Sequence, residues 1–396
     1  MSCGLCLNDC PTYRVLGDEA DSPRGRIQLI KTFVATPGRP DPSLVAHLDA
    51  CLVCRACETA CPSLVPFGRI MESARDEIAH RERAHRGVRG LIRAWLVDIV
   101  TKPGLLDLIS ALTALYDRTG LRPAVRRLLP RRLAGIESLA PAPEGPAFHS
   151  TERTDADMQI LAGCVMRATF GETQRATVRM LERGGHRVSV PADQTCCGAL
   201  HAHAGLGDRA RELARRNVAA FADSASPIVV TAAGCGAHMR AYGELLATDA
   251  TSSSARAVAA RVRDASEVIA PTDARRTLRR PARVVYQDAC HLAHGQGIRR
   301  QPRDLLQAIE GLELVPIADP ERCCGSAGIY NLTHPEVASE LQRQKVSAIV
   351  AARPDVVVSA NPGCILQIRA GLQEARHEVP VVHLMRFLDD PEACLR

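Results

Sequence analysis

Cysteine spacing is where this chain states its chemistry. Cys51, Cys54, Cys57 and Cys61 form a complete C-x2-C-x2-C-x3-C run that ends in Pro62. Three thiolates at three-residue intervals let one tight loop offer three sulfurs to a [4Fe–4S] cubane. The fourth, before proline, leaves the loop and commonly ligates a neighbouring cluster. Proline fixes φ and gives up a backbone donor, which suits entry into a helix. A second group, Cys3-x2-Cys6-x3-Cys10-Pro11, is the same pattern without its first cysteine. The missing residue would stand immediately before Met1, so we expect a start assigned too late. The alternative is a true three-thiolate site, with a [3Fe–4S] cluster or a non-cysteine fourth ligand. Crossed ligation would join Cys3, Cys6 and Cys61 in one cluster, and Cys10 with Cys51, Cys54 and Cys57 in the other. These seven cysteines are the expected cofactor-binding metal ligands of two [4Fe–4S] clusters, and no residue is assigned a catalytic role.

Eight further cysteines recur in register. Apolar segments run into Cys164 and Cys290, Cys-Cys-Gly follows at Cys196-Cys197-Gly198 and Cys323-Cys324-Gly325, and second apolar segments run into Cys235 and Cys364. Three landmarks at nearly constant offset make an internal repeat. Each copy offers four thiols around one crevice, for one or two further iron–sulfur clusters. Glycine after the vicinal pair permits backbone geometry that a Cβ would block. Other readings are burial as small apolar residues or zinc, which favours paired C-x2–4-C knuckles that neither copy has. Cys394 belongs to no pattern.

The elements that must position these thiols follow from periodicity. Residues 1–80 read as a helical ferredoxin-type domain. Ser22 is placed to cap a helix opening at Pro23, with Ile27, Ile30 and Val34 at helical spacing, and Asp41-Pro42 opens another that leads into the second cysteine group. Residues 81–156 read as a basic helical connector and linker. Arg81, Arg83, Arg86, Arg89 and Arg93 crowd its start and Arg122, Arg126, Arg127, Arg131 and Arg132 its middle; Pro141, Pro143, Gly145 and Pro146 mark the linker. The arginines read either as a solvated helix face or as a contact with anionic lipid or an acidic partner. Residues 157–250 and 281–390 are the two Cys-Cys-Gly domains, with 251–280 as a linker. Apolar strands alternating with helices, among them 173–183, 208–221 and 335–351, predict a small parallel, doubly wound sheet in each copy, with Cys164, Cys235, Cys290 and Cys364 at strand ends where ligands sit. The fold class is α+β multidomain: an α-helical ferredoxin-type domain followed by two repeated α/β domains.

Composition limits the alternatives. The chain has 396 residues, a net charge of +6 and only 3% aromatic residues. Scarce aromatics argue against base stacking, and no helix-turn-helix with a clustered basic face is apparent, so no nucleic-acid partner is expected. No apolar run approaches the roughly 18–20 residues of a membrane span. The chain opens without a charged n-region or apolar h-region, and sixteen cysteines in a reducing cytosol read as metal or redox sites.

The order of these motifs resembles the iron–sulfur subunits of respiratory flavoenzymes, and within them the glycolate oxidase type. The resemblance is carried by Cys10-Pro11-Thr12-Tyr13, Leu16-Gly17-Asp18-Glu19, Asp21-Ser22-Pro23-Arg24-Gly25-Arg26-Ile27, His47-Leu48-Asp49 and Gly234-Cys235-Gly236-Ala237-His238. It implies an electron-transfer subunit of a membrane-associated 2-hydroxy-acid (glycolate) dehydrogenase, passing electrons from FAD-containing partner subunits to quinone. Its place would be cytoplasmic, at the inner face of the membrane. The wider family includes subunits of anaerobic glycerol-3-phosphate dehydrogenase and heterodisulfide reductases, in which the Cys-Cys-Gly clusters would be catalytic. In that reading His201, His203, His291 and His294 would donate protons. The heterodisulfide reductase pattern ends each repeat with C-x2-C. Here His238 and Gln367 stand in the last position, which leaves open a four-thiolate cluster, a cluster with His238 as ligand, or one occupied copy.

Overall fold

The computed structural model describes residues 3–84, 94–95, 97–99, 101–130, 135, 137–140 and 142–395. Arg86, Arg89, Arg93, Arg131, Arg132 and Pro141 lie outside the described residues, as does the side chain of Arg83.

The N-terminal unit is helical. It comprises α1 (Pro11–Leu16), α2 (Pro23–Ala35), α3 (Pro42–Asp49), the single turn α4 (Ala56–Thr59) and α5 (Phe67–Ala84). The caps are those expected from the sequence: Ser22 Oγ accepts from Gly25 N at 3.0 Å, and Asp41 Oδ1 from Ser43 N at 2.8 Å. Each satisfies an orphan donor of a helix that begins with proline. On α5, Phe67, Met71, Ala74 and Ile78 recur on one face and are buried; Phe67, Met71 and Ile78 pack with Phe33, Leu44 and Leu48.

Two four-stranded parallel sheets follow. The first holds β1 (Met158–Ile160), β2 (Val188–Ser189), β3 (Ile228–Val230) and β4 (Val262–Asp264) in the order β2-β1-β3-β4. The second holds β5 (Arg276–Gln287), β6 (Ile309–Leu314), β7 (Val356–Ser359) and β8 (Val381–His383) in the order β6-β5-β7-β8. The identical strand order is the structural form of the sequence repeat. β1, β3 and β7 are buried along their whole length, which is why they read as unbroken apolar runs.

The two sheets share one core that includes Ile160, Val229, Val284, Val357 and Phe387. His383 ties them together. Its Nε2–H donates to Thr231 O at 2.7 Å, and its Nδ1 accepts from Met385 N at 3.1 Å. Burial holds this imidazole down at about 4. A depressed histidine contributes stability that is present above its ordinary pKa and lost as pH falls toward the folded value. Acidification from pH 6.5 to 4 is therefore expected to remove about 3 kcal/mol through His383. Urea unfolding of wild type and His383→Gln at both pH values measures it; the variant should lose less.

Two stretches expected to be linkers are structured. Residues 251–280 contain the helix Ser252–Arg261 and strand β4, which pairs with β3 as the far edge of the first sheet; β5 already begins at Arg276. The polar Arg263 inside β4 hid it, because an edge strand needs few apolar residues. In 140–156, Phe148 enters the shared core and Thr151 bridges to Val190. The basic connector is partly internal as well. It contains α6 (Pro103–Arg118) and α7 (Arg122–Leu128). Arg122 pairs with Asp117 and Glu137 at 2.7 Å, and Arg126 with Glu137 at 2.6 Å. Among the described residues no helix is long and apolar enough to cross a membrane.

Candidate metal centres

The loop Cys51–Cys57 curls through two left-handed residues, Val53 at φ 51° and Arg55 at φ 65°. A β-branched residue there is strained, at a cost on the order of 1–3 kcal/mol. The alternation turns Cys51, Cys54 and Cys57 to one side, where all three are buried. Cys10, which precedes α1, is buried too. Cys57 lies in electrostatic reach of Cys54, Cys51 and Cys10, and burial pushes its thiol up. Cys61 instead falls with Cys3 and Cys6, Cys6 also lying in electrostatic reach of Cys10, and these three are exposed or half-buried. The structure thus brings together one enclosed set, Cys10/Cys51/Cys54/Cys57, and one outer set, Cys3/Cys6/Cys61. Three thiols on a strained loop, converging with Cys10 in a pocket that disfavours water, fit an iron–sulfur cluster by donor chemistry.

Both repeats gather their four cysteines. In the first, Cys164 Sγ is 3.4 Å from Cys196 Sγ, and Cys197 Sγ is 2.9 Å from Cys235 Sγ. In the second, Cys290, Cys323, Cys324 and Cys364 are all buried and linked by thiol contacts. The expectation that the single cysteines sit at strand ends needs correcting. Cys164 immediately precedes the helix α8 (Val165–Thr169), and Cys235 lies inside α9 (Ala233–Arg240), Cys290 opens α10 (Cys290–Ala293), and Cys364 lies in the first turn of α12 (Pro362–Glu374). The strands stop three or more residues earlier, so the thiols approach the crevice from helix N-termini, where anionic sulfur is favoured.

Glycine serves the role anticipated for it. Gly198 has φ 89° and Gly325 φ 90°. A Cβ on Gly325 would stand 2.5 Å from Ala338 O, inside the helix α11 (Pro335–Ala352). Gly325→Ala is expected to cost more than about 2 kcal/mol. Gly297→Ala, at φ 71° with nothing within 4 Å, should cost only about 1 kcal/mol. Chemical denaturation of the two variants compares them.

The second repeat packs on the ferredoxin unit. Leu52, Cys54, Ala56, Cys290, Cys323 and Tyr330 form one buried cluster, Tyr330 donates to Ala50 O at 2.9 Å, and Thr59 Oγ1 meets His294 Nδ1 at 3.0 Å. The first repeat joins them across α9 and α10. Between the three units lies a group of imidazoles. His203 Nδ1 stands 2.8 Å from Glu72, its ring centroid 5.2 Å from that of His291. Burial opposes ionisation of Glu72, yet His203, with His238 and His291 behind it, holds its carboxyl down at about 2. His238 Nε2 and His291 Nε2 are buried without a hydrogen-bond partner among the described residues. Burial depresses His238 to about 4, leaving a neutral imidazole fit to ligate. Gln367, its counterpart, already donates to Ala338 O and accepts from Asn331. The two copies therefore differ at the position where both lack a cysteine. Of the other histidines named from sequence, His201 contacts Asp98 at 3.2 Å.

Three charged residues have structural roles that the sequence reading did not assign, Arg26 having been named there only within a motif. Arg26, fully buried, donates to His47 O, Thr12 Oγ1 and Asp21 Oδ1 at 2.8, 2.8 and 3.0 Å; Thr12 Oγ1 in turn lies 3.3 Å from Cys10 Sγ. Arg75 donates to Leu48 O, Cys51 O and, across the unit boundary, His203 O. Lys345 donates to Asp319 O and Pro320 O beside Cys324 and Cys364, its pKa lowered by burial. A signal existed for two of them: Arg75 and Lys345 interrupt apolar helix stripes, between Met71 and Ile78 and between Leu341 and Ile349.

Comparison with known proteins agrees with this geometry. Residues 1–84 match the 4Fe-4S dicluster domain, and residues 158–240 and 284–369 each match the cysteine-rich domain. The chain is 35% identical to the probable glycolate oxidase iron-sulfur subunit of Bacillus subtilis, over 98% of this chain and 92% of that one. It is 33% identical to the glycolate oxidase iron-sulfur subunit of Escherichia coli, over 96% and 92%. One of the subunits of a fumarate reductase (CoM/CoB) from Methanothermobacter marburgensis is 28% identical over 86% and 72%. A crystal structure of a hypothetical protein from Helicobacter pylori superposes with a TM-score of 0.56 at 7% identity, over 93% of this chain and 67% of that one, a likeness of fold alone.

Proposed function

This chain belongs to the glycolate oxidase iron–sulfur subunit family, an electron-transfer subunit of an oxidoreductase, and from that premise we propose that it carries reducing equivalents from a flavoprotein that oxidises a 2-hydroxy acid such as glycolate to quinone at the inner face of the cytoplasmic membrane. The observation that carries the reading is the enclosed set Cys10/Cys51/Cys54/Cys57, whose Cys54 packs in one buried cluster with Cys290 and Cys323 of the second repeat. In this reading Cys10, Cys51, Cys54 and Cys57 hold one [4Fe–4S] cluster, and Cys3, Cys6 and Cys61 contribute to a second. The eight repeat cysteines, with His238 in the first copy, hold further iron. Iron–sulfur clusters, when bound, take up and give back single electrons at potentials that span flavin and quinone couples.

The protein's own work is positioning. Val53 and Arg55 aim the thiols, Arg26 and Thr12 fix Cys10, and Arg75 binds the cysteine loop to the first repeat. The Lys345 ammonium sets positive charge beside Cys324, favouring its thiolate. Leu52, Tyr330 and Leu341 keep water from Cys54 and Cys290. A second reading, catalysis at the repeats, draws on His291, whose Nδ1 is 3.6 Å from Cys290 Sγ; turnover of a disulfide by the isolated chain would favour it.

The test is oxygen-free purification with iron and sulfide quantitation and EPR. Two cubanes alone supply about 8 irons per chain, and loaded repeats raise that number. A colourless chain that reconstitution does not darken overturns the reading.

A further inference from the structure

Exposed large apolar side chains concentrate in the connector. On α6, Leu108, Leu112 and Leu115 are 53%, 56% and 60% exposed. Their i, i+4, i+7 spacing makes one outward stripe, continued by the exposed Ala111. Leu121 and Leu128 extend the apolar surface, and Trp95, the only tryptophan of the chain, is 64% exposed. Stray exposed leucines are ordinary, but a contiguous row is not.

Among the described residues, the charge around the stripe that is left without an ion pair is positive. Both acids of α6 are turned to internal partners: Asp107 pairs with Arg167 at 2.6 Å and Asp117 with Arg122 at 2.7 Å. Lys102 and Arg118 flank the helix at its two ends and are exposed. Beside it a groove of about 700 Å3 is lined by Arg122, Arg126, Arg127, Gln373 and Arg376. Arg127 and Arg376 carry no ion pair among the described residues. A guanidinium-lined groove suits a phosphate diester. An amphipathic helix with apolar residues outward and cations at its margins has the composition of an element that lies in the headgroup layer.

We propose that α6, with the Arg127/Arg376 groove, is the surface by which this chain lies on an anionic phospholipid bilayer. The proposal rests on the reading above, in which reducing equivalents leave for a membrane acceptor, and deepens it by naming the docking face. The inner side of α6 packs on α8, the helix that starts directly after Cys164, and Arg167 of α8 is the partner of Asp107. The same helix that meets lipid thus backs the thiol set of the first repeat, whose Cys164 and Cys235 are half-buried while all four thiols of the second repeat are buried. Docking through α6 brings the more accessible thiol set to the bilayer.

The experiment is cosedimentation of the full chain, purified without oxygen, with vesicles of phosphatidylglycerol and phosphatidylcholine or of phosphatidylcholine alone. The chain is expected to pellet with the anionic vesicles, and Trp95 emission in that fraction to shift to the blue. The triple variant Leu108→Ser/Leu112→Ser/Leu115→Ser should lose about a hundredfold in partitioning. Arg127→Glu/Arg376→Glu should abolish the preference for anionic lipid, and Leu332→Ser, at an exposed leucine elsewhere, should change nothing. Iron content and visible absorbance of each variant show that it is folded and loaded. A wild-type chain that stays in the supernatant, unshifted Trp95 emission, or a triple variant that pellets equally overturns the proposal. So does a triple variant that keeps vesicle binding but loses its flavoprotein partner, which would make the face a protein interface. Loss of iron from wild type would overturn the electron-transfer reading instead, whatever the vesicles show.

Discussion

Replacing Cys10 with serine is expected to remove the enclosed cluster, a loss of about 4 irons per chain, although forty residues separate it from Cys51. Serine keeps the size of the side chain but holds its proton where a thiolate is needed. The four side chains share a pocket in which burial already raises the Cys54 and Cys57 thiols. Metal must displace those protons on binding, so three thiols and an alcohol form a far poorer site. Cys61→Ser should instead affect the outer set with Cys3 and Cys6. EPR of the two variants separates them: each should lose a different signal. The same signal lost in both would refute crossed ligation.

Arg26→Met is expected to lower stability by about 3–5 kcal/mol, the range for breaking a buried ion pair from one side. Arg26 is wholly enclosed, and its three bonds reach three segments of the chain. Without it the Asp21 carboxylate keeps, among the described residues, only His47 as an ion-pair partner, at 3.2 Å, and the carbonyl of His47 loses its donor. Thr12 keeps its bond to Asp21 O at 3.1 Å but loses its Arg26 donor, so the support of Cys10 weakens and iron loading should fall as well. Arg26→Lys should recover part of the stability but not the forked geometry, since an ammonium is a point donor. Denaturant midpoints at constant slope measure the first effect, and iron per chain the second. An unchanged midpoint in Arg26→Met would mean that the pair contributes nothing.

Much of this was legible in the primary structure because it is written in local chemistry. The caps Ser22 and Asp41 act within three residues of themselves. The apolar strands around Ile228 and Val356 announce burial on both faces. The Cys-Cys-Gly turns need glycine for a backbone reason that holds wherever they fold. Linkers were harder. Residues 262–264 gave no apolar run because an edge strand is buried on fewer sides, and Phe148 is one aromatic residue among prolines. The arginines of the connector were ambiguous in principle: Arg122 and Arg126 are cations to any reading of composition, and only the positions of Asp117 and Glu137 pair them within the chain.

Residue type and spacing alone determined that thiols would dominate this protein, in two motif groups and two repeated sets, because metal affinity resides in the sulfur donor and its short-range interval. Tertiary structure decided which thiols keep company: Cys10 with a loop forty residues away, Cys54 beside Cys290, and three histidines and Glu72 at a junction that no segment contains. It also decided which charges are buried and which leucines are left outside. Those outcomes depend on distances between elements far apart along the chain, and such distances are set by the packing of complementary surfaces, to which no local interval refers.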